Sequence, residues 1–570
     1  MSSHPMSDPE VDYHCDVLVI GGGINGAGIA RDLAGRGRSV VLCEQDDLAS
    51  HTSSASTKLI HGGLRYLEYR EFGLVRKALR ERERLLRQAP HLMWPMRFVL
   101  PHDPATRPAW LIRLGLWLYD HLATRTFLPG SHGVSLAGQV LGQPLQAQWQ
   151  RGFVYSDGGV DDARLVLACA QDAEERGARI WTRTRCESVQ AGAGQWRATL
   201  SERHPLSGET LRTLTVQARA VVNAAGPWAE QVLRGTMGVA AQPGDASLRL
   251  VKGSHIIVPR LFQHDHAYIF QGTDGRIIFA IPYEEAFTLI GTTDVEFTGD
   301  PACVAIDDDE VAYLCRQLSR YLHTPLQPDA VVWTYAGVRP LLEDAHGAAA
   351  AVTRDYRLEP HREPAPWLTV WGGKITTFRV LAEHAANEVD GLLGGGSDPW
   401  TANEALPGGD LPGLDDTANP QEALMLFKAD MRHRFPWVPP HLMQRWVRTY
   451  GTNLPEWLDS ACRLDALGRE VAPGLYEAEL RHMIKSEWAL TSDDVLWRRT
   501  KLGLHYTEEQ RGKIAERGKS FSAADQAKVS AEWAYIYASA SKLASINADP
   551  RGEEAQALAA RAQAMIDAFT

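Results

Sequence analysis

The residues best suited to chemistry stand in a glycine-rich turn near the N-terminus. Gly21–Gly26 reads Gly-Gly-Gly-Ile-Asn-Gly, which is a G-x-G-x-x-G pattern. In this pattern Gly21 permits a tight turn, Gly23 lets the backbone approach a pyrophosphate, and Gly26 lets a helix pack closely on a strand. Glu44 follows Gly21 by 23 residues, which is the spacing of a carboxylate that accepts hydrogen bonds from a ribose. The pattern predicts a dinucleotide site, and the acid disfavours a 2′-phosphate and therefore NADP.

Two strands and a helix must position this turn. Cys15–Ile20 is a short apolar run, Asn25–Arg36 has helical spacing, and Ser39–Gln45 is a second apolar run. A strand, a tight turn, a helix and a second strand form a βαβ unit, so we expect a parallel sheet. Alternating runs between residues 254 and 338 predict a largely antiparallel sheet. The segments after residue 413 are mostly helical in pattern.

Length, charge and cysteine content narrow the class of protein. The chain has 570 residues, about twice the size at which a single core stops growing, so at least two domains are expected. Its net charge of −11 argues against nucleic acid as the main partner. Seven scattered cysteines without a C-x-x-C pair suit a reducing compartment and disfavour a structural zinc site. We expect neither a signal peptide nor a spanning helix, because the richest apolar run, Trp110–Ala123, is short and charged.

One basic segment interrupts this acidic chain. Residues 65–125 contain twelve Lys and Arg against six Asp and Glu, so the rest of the chain carries −17. Trp94, Trp110 and Trp117 stand in the same segment. Cations beside interfacial aromatics predict contact with an anionic membrane surface. A solvated helix face above a packed core is the competing interpretation, with nearly equal weight.

Further blocks resemble one family, the FAD-dependent glycerol-3-phosphate dehydrogenases, in particular their bacterial aerobic, membrane-associated type. The similarity runs in order from about residue 15 to past residue 500. The blocks that carry it are Ser53–Leu67, Tyr155–Asp157, Val160–Leu165, Asn223–Trp228, Lys252–His255, Ile290–Asp294, Trp333–Pro340, Thr353–Tyr356, Gly372–Thr377 and Leu496–Lys501.

The resemblance implies a fold class and a division of the chain. We expect an α/β protein with a Rossmann-like FAD-binding domain, an inserted, mostly antiparallel β substrate domain and a C-terminal α-helical domain. The expected divisions are a flexible tail (1–14), a discontinuous FAD-binding domain (15–92, 150–250 and 340–390), a substrate-binding cap (93–149 and 251–339), a linker (391–413) and the helical domain (414–570).

FAD is the cofactor that the resemblance implies. Small residues from Ser53 to Gly63 suit backbone laid against a flat ring or a diphosphate. Gly226 ends an apolar run, and hydroxyls follow Gly373 where a helix is expected to start. The expected cofactor-binding residues are Gly21, Gly23, Ile24, Asn25, Gly26, Glu44, Ser53, Ser54, Ser56, Lys58, Leu59, Gly62, Gly63, Gly226, Gly373 and Thr376.

The substrate residues follow from cations in these blocks. Arginine suits a phosphate because its planar fork donates two parallel hydrogen bonds. We expect a phosphate to be bound by Arg65, Tyr66, Arg354 and Lys374. By family position His255 is the candidate general base and Arg339 would stabilise the developing alkoxide. Which of His255 and Arg339 handles the proton stays open.

The resemblance also implies an activity in glycerol metabolism. This is oxidation of sn-glycerol 3-phosphate to dihydroxyacetone phosphate, with hydride transfer to FAD and electrons passed to ubiquinone or menaquinone. Such an enzyme would be cytoplasmic and peripheral on the inner face of the cytoplasmic membrane, with a homodimer as one expected assembly. The alternatives are a glycerol-3-phosphate oxidase using O2, an amine- or amino-acid-oxidising flavoenzyme, and a non-catalytic scaffold. No calcium-binding loop pattern occurs, so no metal is expected.

Overall fold

A computed structural model describes residues 11–104, 107–241, 246–343, 355–414, 419–519 and 552–568, with residues 539 and 543. Within these ranges the helices are α1 (Ile24–Gly35), α2 (Phe72–Gln88), α3 (Ala109–His121), α4 (Asp162–Glu175), α5 (Ala229–Gln231), α6 (Asp308–Ser319), α7 (Phe378–Leu393), α8 (Pro420–Arg434), α9 (Pro440–Tyr450), α10 (Pro455–Leu458), α11 (Glu477–Glu487), α12 (Glu508–Lys519) and α13 (Glu553–Ala568).

The strands form two large sheets and one small hairpin. They are β1 (Tyr13–Ile20), β2 (Val40–Cys43), β3 (Leu59–Ile60), β4 (Met93–Pro101), β5 (His132–Ser135), β6 (Arg151–Val160), β7 (Arg179–Trp181), β8 (Thr184–Gly192), β9 (Gln195–Arg203), β10 (Thr210–Asn223), β11 (Ser247–Pro259), β12 (Ala267–Gln271), β13 (Ile277–Tyr283), β14 (Phe287–Gly291), β15 (Val295–Glu296), β16 (Trp333–Glu343), β17 (Arg357–His361), β18 (Trp367–Trp371), β19 (Glu470–Ala472) and β20 (Leu475–Tyr476).

The first sheet has the predicted βαβ unit at its centre. Its order is β17-β18-β10-β1-β2-β7, and the central pairs from β18 to β7 are parallel. Side chains of β1 alternate between two cores: Val17 and Val19 pack with α1, α4 and α7, whereas Leu18 and Ile20 face the opposite side. Strands buried on both faces explain the continuous apolar run that the sequence shows here.

Helix α4 ends earlier than its sequence pattern suggests. The helical spacing predicts a helix from Ala163 to Arg179, but α4 stops at Glu175. Gly177 has φ +95°, a left-handed conformation that ends the helix. The chain then enters β7 at Arg179, beside β2.

The second sheet is mostly antiparallel, as predicted. Its order is β15-β11-β14-β13-β12-β4-β6-β3, with β16 on β11 and β5 on β6, and the pair of β12 with β4 is parallel. Strand β6 belongs to this sheet because it pairs with β4 from Gly152 to Val160, although its chain position lies in the expected FAD-binding segment. Sheet membership follows the pairing partner, which chain order does not reveal.

The C-terminal part is helical apart from the β19-β20 hairpin, and a separate core lies between α8, α9 and α11. The expected linker, residues 391–413, precedes this helical part and packs against the domain that contains the first sheet. Trp400 stacks under the guanidinium of Arg176 at 4.0 Å, and Leu406 is buried. The expected fold class is therefore confirmed. Within the described ranges, every helix is too short or too polar to cross a membrane.

Candidate functional site

A cavity of about 1740 Å³ opens between the two sheets. One side is the edge of the first sheet where the parallel strands β1, β2 and β18 end, marked by Ile20, Cys43 and Gly372. Ligands of parallel sheets bind outside these carboxyl ends. The other side comes from the second sheet, including β11 and β16. The fold thus brings the glycine turn and the predicted substrate residues to one space.

The glycine turn has the geometry that its spacing predicts. Gly21 has φ +112°, and its N–H donates to the carbonyl of Cys43 at 2.9 Å. A Cβ on Gly26 would lie 1.9 Å from the carbonyl oxygen of Gly21, so only glycine lets α1 come this close. Gly23 faces the cavity, and a Cβ there would lie 3.0 Å from Ser53 Oγ. The N–H of Ile24 donates to Ser53 Oγ at 3.0 Å. A glycine-rich turn at a helix N-terminus is the arrangement that suits a diphosphate.

Glu44 holds the turn as well as lining the cavity. Its Oε2 accepts from the N–H of Gly22 at 2.6 Å, and its Oε1 accepts from the N–H of Asp46 at 2.9 Å. Burial raises the pKa of Glu44, while these two amides favour its charged form. Each carboxylate oxygen has a second lone pair for a ligand hydroxyl. The large cavity, the glycine-rich turn and this acid fit an FAD molecule.

Most of the predicted cofactor residues lie on the cavity wall. They are Gly21, Gly23, Ile24, Asn25, Glu44, Ser53, Ser56, Leu59, Gly63, Gly226, Gly373 and Thr376. Gly26, Ser54, Lys58 and Gly62 do not line the cavity. Gly62 is packed where a Cβ would meet Leu79 at 2.4 Å.

Lys58 is the clearest departure from its expected place. Its ammonium is buried and donates to both carboxylate oxygens of Asp162 at 2.8 Å. Burial lowers the pKa of Lys58, and the charge of Asp162 opposes that effect. Asp162 also accepts from Ser56 Oγ at 2.7 Å. Lys58 and Ser56 therefore both anchor this loop to Asp162, a residue about one hundred positions further along the chain.

His255 lies on the cavity wall in the middle of β11. Its Nε2 is 2.9 Å from Thr57 Oγ1, and its ring stacks on Tyr335 at 4.7 Å. Its Nδ1 has no hydrogen-bond partner among the described residues. Gly291 on the neighbouring strand makes room for the ring, because a Cβ there would lie 2.0 Å from His255 Cδ2. Thr57 and Tyr335 thus fix the imidazole, whose Nε2 lies against Thr57 and whose Nδ1 is buried.

The electrostatic setting keeps this imidazole neutral. Burial, followed by the cations Lys58 and Arg339, holds the pKa of His255 well below its ordinary value. A neutral imidazole has a lone pair that can accept a proton. His255 is therefore in the protonation state that a general base requires.

Arg339 projects from β16 into the same cavity. Its Nη1 donates to Asp294 Oδ1 at 2.6 Å, and its Nη2 donates to Thr292 Oγ1 at 2.8 Å. A Cβ on Gly253 would lie 2.2 Å from Arg339 Nη2, so this glycine leaves space for the guanidinium. Three neighbours thus orient a cation beside the wall that carries His255.

The predicted phosphate ligands are only partly described. Arg65, Tyr66 and Lys374 line the cavity, and Lys374 Nζ lies 4.0 Å from the ring centroid of Tyr66. Arg65 forms no ion pair with any residue in the described ranges. Arg354 lies outside the described residues. Arg65 and Lys374 are thus two cations on the same cavity wall as Tyr66.

Several wall residues were not selected from the sequence. Thr292 and Asp294 stand in the block Ile290–Asp294, which resembles the family. The resemblance marked the block but assigned no function to these two residues. Gly253 and Gly291 look like ordinary strand glycines, and only the space that they leave reveals their use. Arg498 reaches the cavity from the C-terminal part. Among the described residues, no group of three or more His, Cys, Asp or Glu side chains could hold a metal ion.

Comparison with known proteins identifies the class. The family described as FAD dependent oxidoreductase matches residues 16–379, and the C-terminal domain of alpha-glycerophosphate oxidase matches residues 400–518. The chain therefore belongs to the FAD-dependent oxidoreductases, and FAD is its cofactor.

The chain is similar to several curated proteins that carry the name of the predicted family. A glycerol-3-phosphate dehydrogenase of Pseudomonas aeruginosa is 47% identical over 90% of this chain and 96% of the relative. The aerobic glycerol-3-phosphate dehydrogenase of Escherichia coli is 46% identical over 88% and 96%. A D-erythritol 1-phosphate dehydrogenase of Brucella abortus is 47% identical over 90% and 98%. The predicted resemblance is confirmed.

Solved structures agree with this assignment. A glycerol-3-phosphate dehydrogenase from Bacillus halodurans complexed with FAD matches 89% of this chain and 94% of its own, with a TM-score of 0.67 and 25% identity. An L-alpha-glycerophosphate oxidase from Mycoplasma pneumoniae with FAD bound has a TM-score of 0.52 at 18% identity, covering 69% of this chain and 99% of its own. The second match supports the fold alone.

Proposed function

We propose that this protein oxidises sn-glycerol 3-phosphate to dihydroxyacetone phosphate. The observation that carries the proposal is the convergence of Arg65, Lys374, Arg339 and His255 on one FAD-sized cavity. The names of relatives that are 46% and 47% identical over about nine-tenths of the chain point to the same substrate. A site that oxidises a phosphorylated secondary alcohol needs cations for the phosphate and an acceptor for the hydroxyl proton. This cavity wall contains both.

The phosphate is bound by the cations near Tyr66. Arg65 has no ion-pair partner in the described ranges, so its fork is available for two parallel hydrogen bonds to phosphate oxygens. Lys374 adds a second positive charge, and the hydroxyl of Tyr66 donates a hydrogen bond. Arg354 completes the proposed set. These cations neutralise the charge of the bound dianion.

The secondary hydroxyl gives its proton to His255. Thr57 and Tyr335 fix the imidazole, and its low pKa keeps the lone pair available. The bound phosphate dianion offsets the cations that depress this pKa, so His255 becomes more basic when substrate is present. Arg339 stabilises the developing alkoxide. FAD, when bound, would supply the two-electron acceptor for the hydride of the same carbon, which becomes the carbonyl.

We further propose that a membrane quinone takes the electrons. Helix α3 exposes an apolar face made of Trp110, Leu111, Leu114 and Trp117, with exposed fractions between 41% and 67%. The exposed arginines Arg76 and Arg80 of α2 adjoin the C-terminal end of α3. Exposed tryptophans and leucines beside cations suit the interface of an anionic bilayer. The protein would then be peripheral on the cytoplasmic face of the membrane.

A second substrate deserves a direct test because a relative of equal similarity is named D-erythritol 1-phosphate dehydrogenase. Anaerobic addition of glycerol 3-phosphate should bleach the bound flavin faster than D-erythritol 1-phosphate does. Faster bleaching by D-erythritol 1-phosphate would show that the four-carbon phosphate, and not glycerol 3-phosphate, is the preferred substrate. Bleaching by glycine or sarcosine alone would indicate an amine oxidase.

Two further measurements complete the test. Turnover with a soluble quinone should exceed turnover with O2, and stoichiometric peroxide would instead indicate an oxidase. The mass of the purified holoenzyme in solution checks the predicted homodimer.

A further inference from the structure

The C-terminal part of the chain contributes to the FAD cavity. Residues 491–494 and Arg498 line the same cavity as Glu44 and Asp46. Asp494–Arg499 forms a π-helical turn. The glycine turn and this π-helical turn are more than 450 residues apart in the chain, so their meeting is a property of the tertiary structure.

Asp47 joins the two parts. It follows Glu44 by three residues, and its carboxylate is almost completely buried. Arg498 Nε donates to its Oδ2 at 2.6 Å, and Arg499 Nη2 donates to its Oδ1 at 2.9 Å. Arg183, after β7, lies 3.4 Å from the same Oδ1. The segment that carries Glu44 is thus tied to the C-terminal turn.

Asp494 closes the network from the other side. Arg183 Nη2 donates to its Oδ2 and Arg498 Nη2 to its Oδ1, both at 2.5 Å. Burial alone would raise the pKa of Asp494, but Arg183, Arg498 and Arg499 hold it well below its usual range. The backbone amide of Leu490 also donates to Oδ2 at 2.8 Å. Every carboxylate oxygen of the two acids is satisfied by an arginine.

Such a network is costly to disrupt. Loss of one partner from a buried ionic cluster leaves an uncompensated charge in a medium of low dielectric constant. The five charged groups therefore hold their backbones in one arrangement. Because Arg183 and Arg498 also line the cavity, that arrangement sets the shape of its Glu44 end.

We infer that the C-terminal part completes the FAD site, with the turn Asp494–Arg499, tied to Asp47 and Arg183, closing the Glu44 end of the cavity and slowing release of the cofactor. Arg498 is a positioning residue in this arrangement. The inference rests on the FAD dependence of the family and not on the proposed substrate. A network that merely joins two domains would stabilise the fold equally with and without FAD.

The test compares Arg498→Met with Arg434→Met, which breaks an exposed ion pair to Asp459 in the same C-terminal part. FAD release from the holoenzyme is followed by flavin fluorescence, and thermal unfolding is measured with and without FAD. Arg498→Met should release FAD about tenfold faster or more and should lower the unfolding temperature of the holoenzyme more than that of the apoprotein. Arg434→Met should match the parent enzyme.

A second variant avoids the buried network. Ser492 lines the cavity and is partly exposed, so Ser492→Trp adds bulk to the wall without removing a charge. It should weaken FAD binding about tenfold while the unfolding temperature of the apoprotein stays unchanged. Release of FAD at the parent rate from folded Arg498→Met, or unchanged FAD affinity in Ser492→Trp, would overturn the inference. If Arg498→Met does not fold, Ser492→Trp decides the matter.

Discussion

Replacing Gly26 with alanine tests the physical basis of the cofactor site. Gly26 lies in the first turns of α1, where the helix leans on the turn that leaves β1. Its added Cβ would stand 1.9 Å from the carbonyl oxygen and 3.0 Å from the carbonyl carbon of Gly21. Non-bonded atoms of this kind prefer about 3.5 Å. Helix and turn must therefore separate by more than about 1 Å, and both contacts are backbone that cannot rotate away.

The cost follows from this overlap. Forcing one extra methyl into a packed region costs about 1 to 3 kcal/mol. The displaced amides are those that face the proposed pyrophosphate, so part of the cost falls on cofactor binding. A loss of about 1.4 kcal/mol there means tenfold weaker binding of FAD. The unfolding temperature should fall by about 1 to 2 °C for each kcal/mol lost from the fold, because the entropy of unfolding is about 2 cal/mol/K per residue.

The assay is the flavin content and thermal unfolding of the purified variant, with added FAD over a range of concentrations. Gly73→Ala is the matched control, because Gly73 lies in the first turn of α2 and a Cβ there meets nothing within 4 Å. That control should be neutral or stabilised by up to about 1 kcal/mol. Full flavin content and an unchanged unfolding temperature in Gly26→Ala would refute the argument.

Four other variants test the reaction and its location. His255→Gln should lower kcat by about 10² to 10⁴-fold while FAD stays bound. Lys58→Met should raise the pKa of His255, since burial and the lysine charge depress it, so the acid limb of the kcat/KM profile should move to higher pH. Arg65→Met should raise KM for glycerol 3-phosphate more than it lowers kcat, because phosphate binding is common to the ground and transition states. The double change Trp110→Ser and Trp117→Ser should abolish pelleting with anionic liposomes at low salt without altering turnover with a soluble acceptor.

Each of these has a contradicting result. Unaltered turnover of His255→Gln would remove that residue from proton transfer, and an acid limb that stays in place or moves down would reject the influence of Lys58. An unchanged KM in Arg65→Met would exclude the phosphate assignment. If the variant with both tryptophans replaced still bound liposomes, the membrane contact would lie elsewhere on the protein. The control for this variant is Val140→Ser, which changes another exposed apolar residue.

The geometry of the glycine turn could be predicted from the sequence because its information is local. Gly21, Gly23 and Gly26 act over six residues, and Glu44 follows after one helix and one strand. Short-range spacing fixes the positions of such residues once the βαβ unit forms. The alternating runs likewise predicted the antiparallel sheet, because side-chain direction along a strand has a period of two.

The tertiary structure alone decided how the remaining groups meet. Lys58 reads like a cofactor ligand, yet its buried partner is Asp162. His255 owes its low pKa to burial and to the cations Lys58 and Arg339. Arg498 lies at the cavity wall and pairs there with Asp47 and Asp494. Burial and charge pairing depend on residues that are distant in the chain and adjacent in space. The spacing of residues along one sequence does not reveal burial or charge pairing, because both depend on which distant residues the fold packs together.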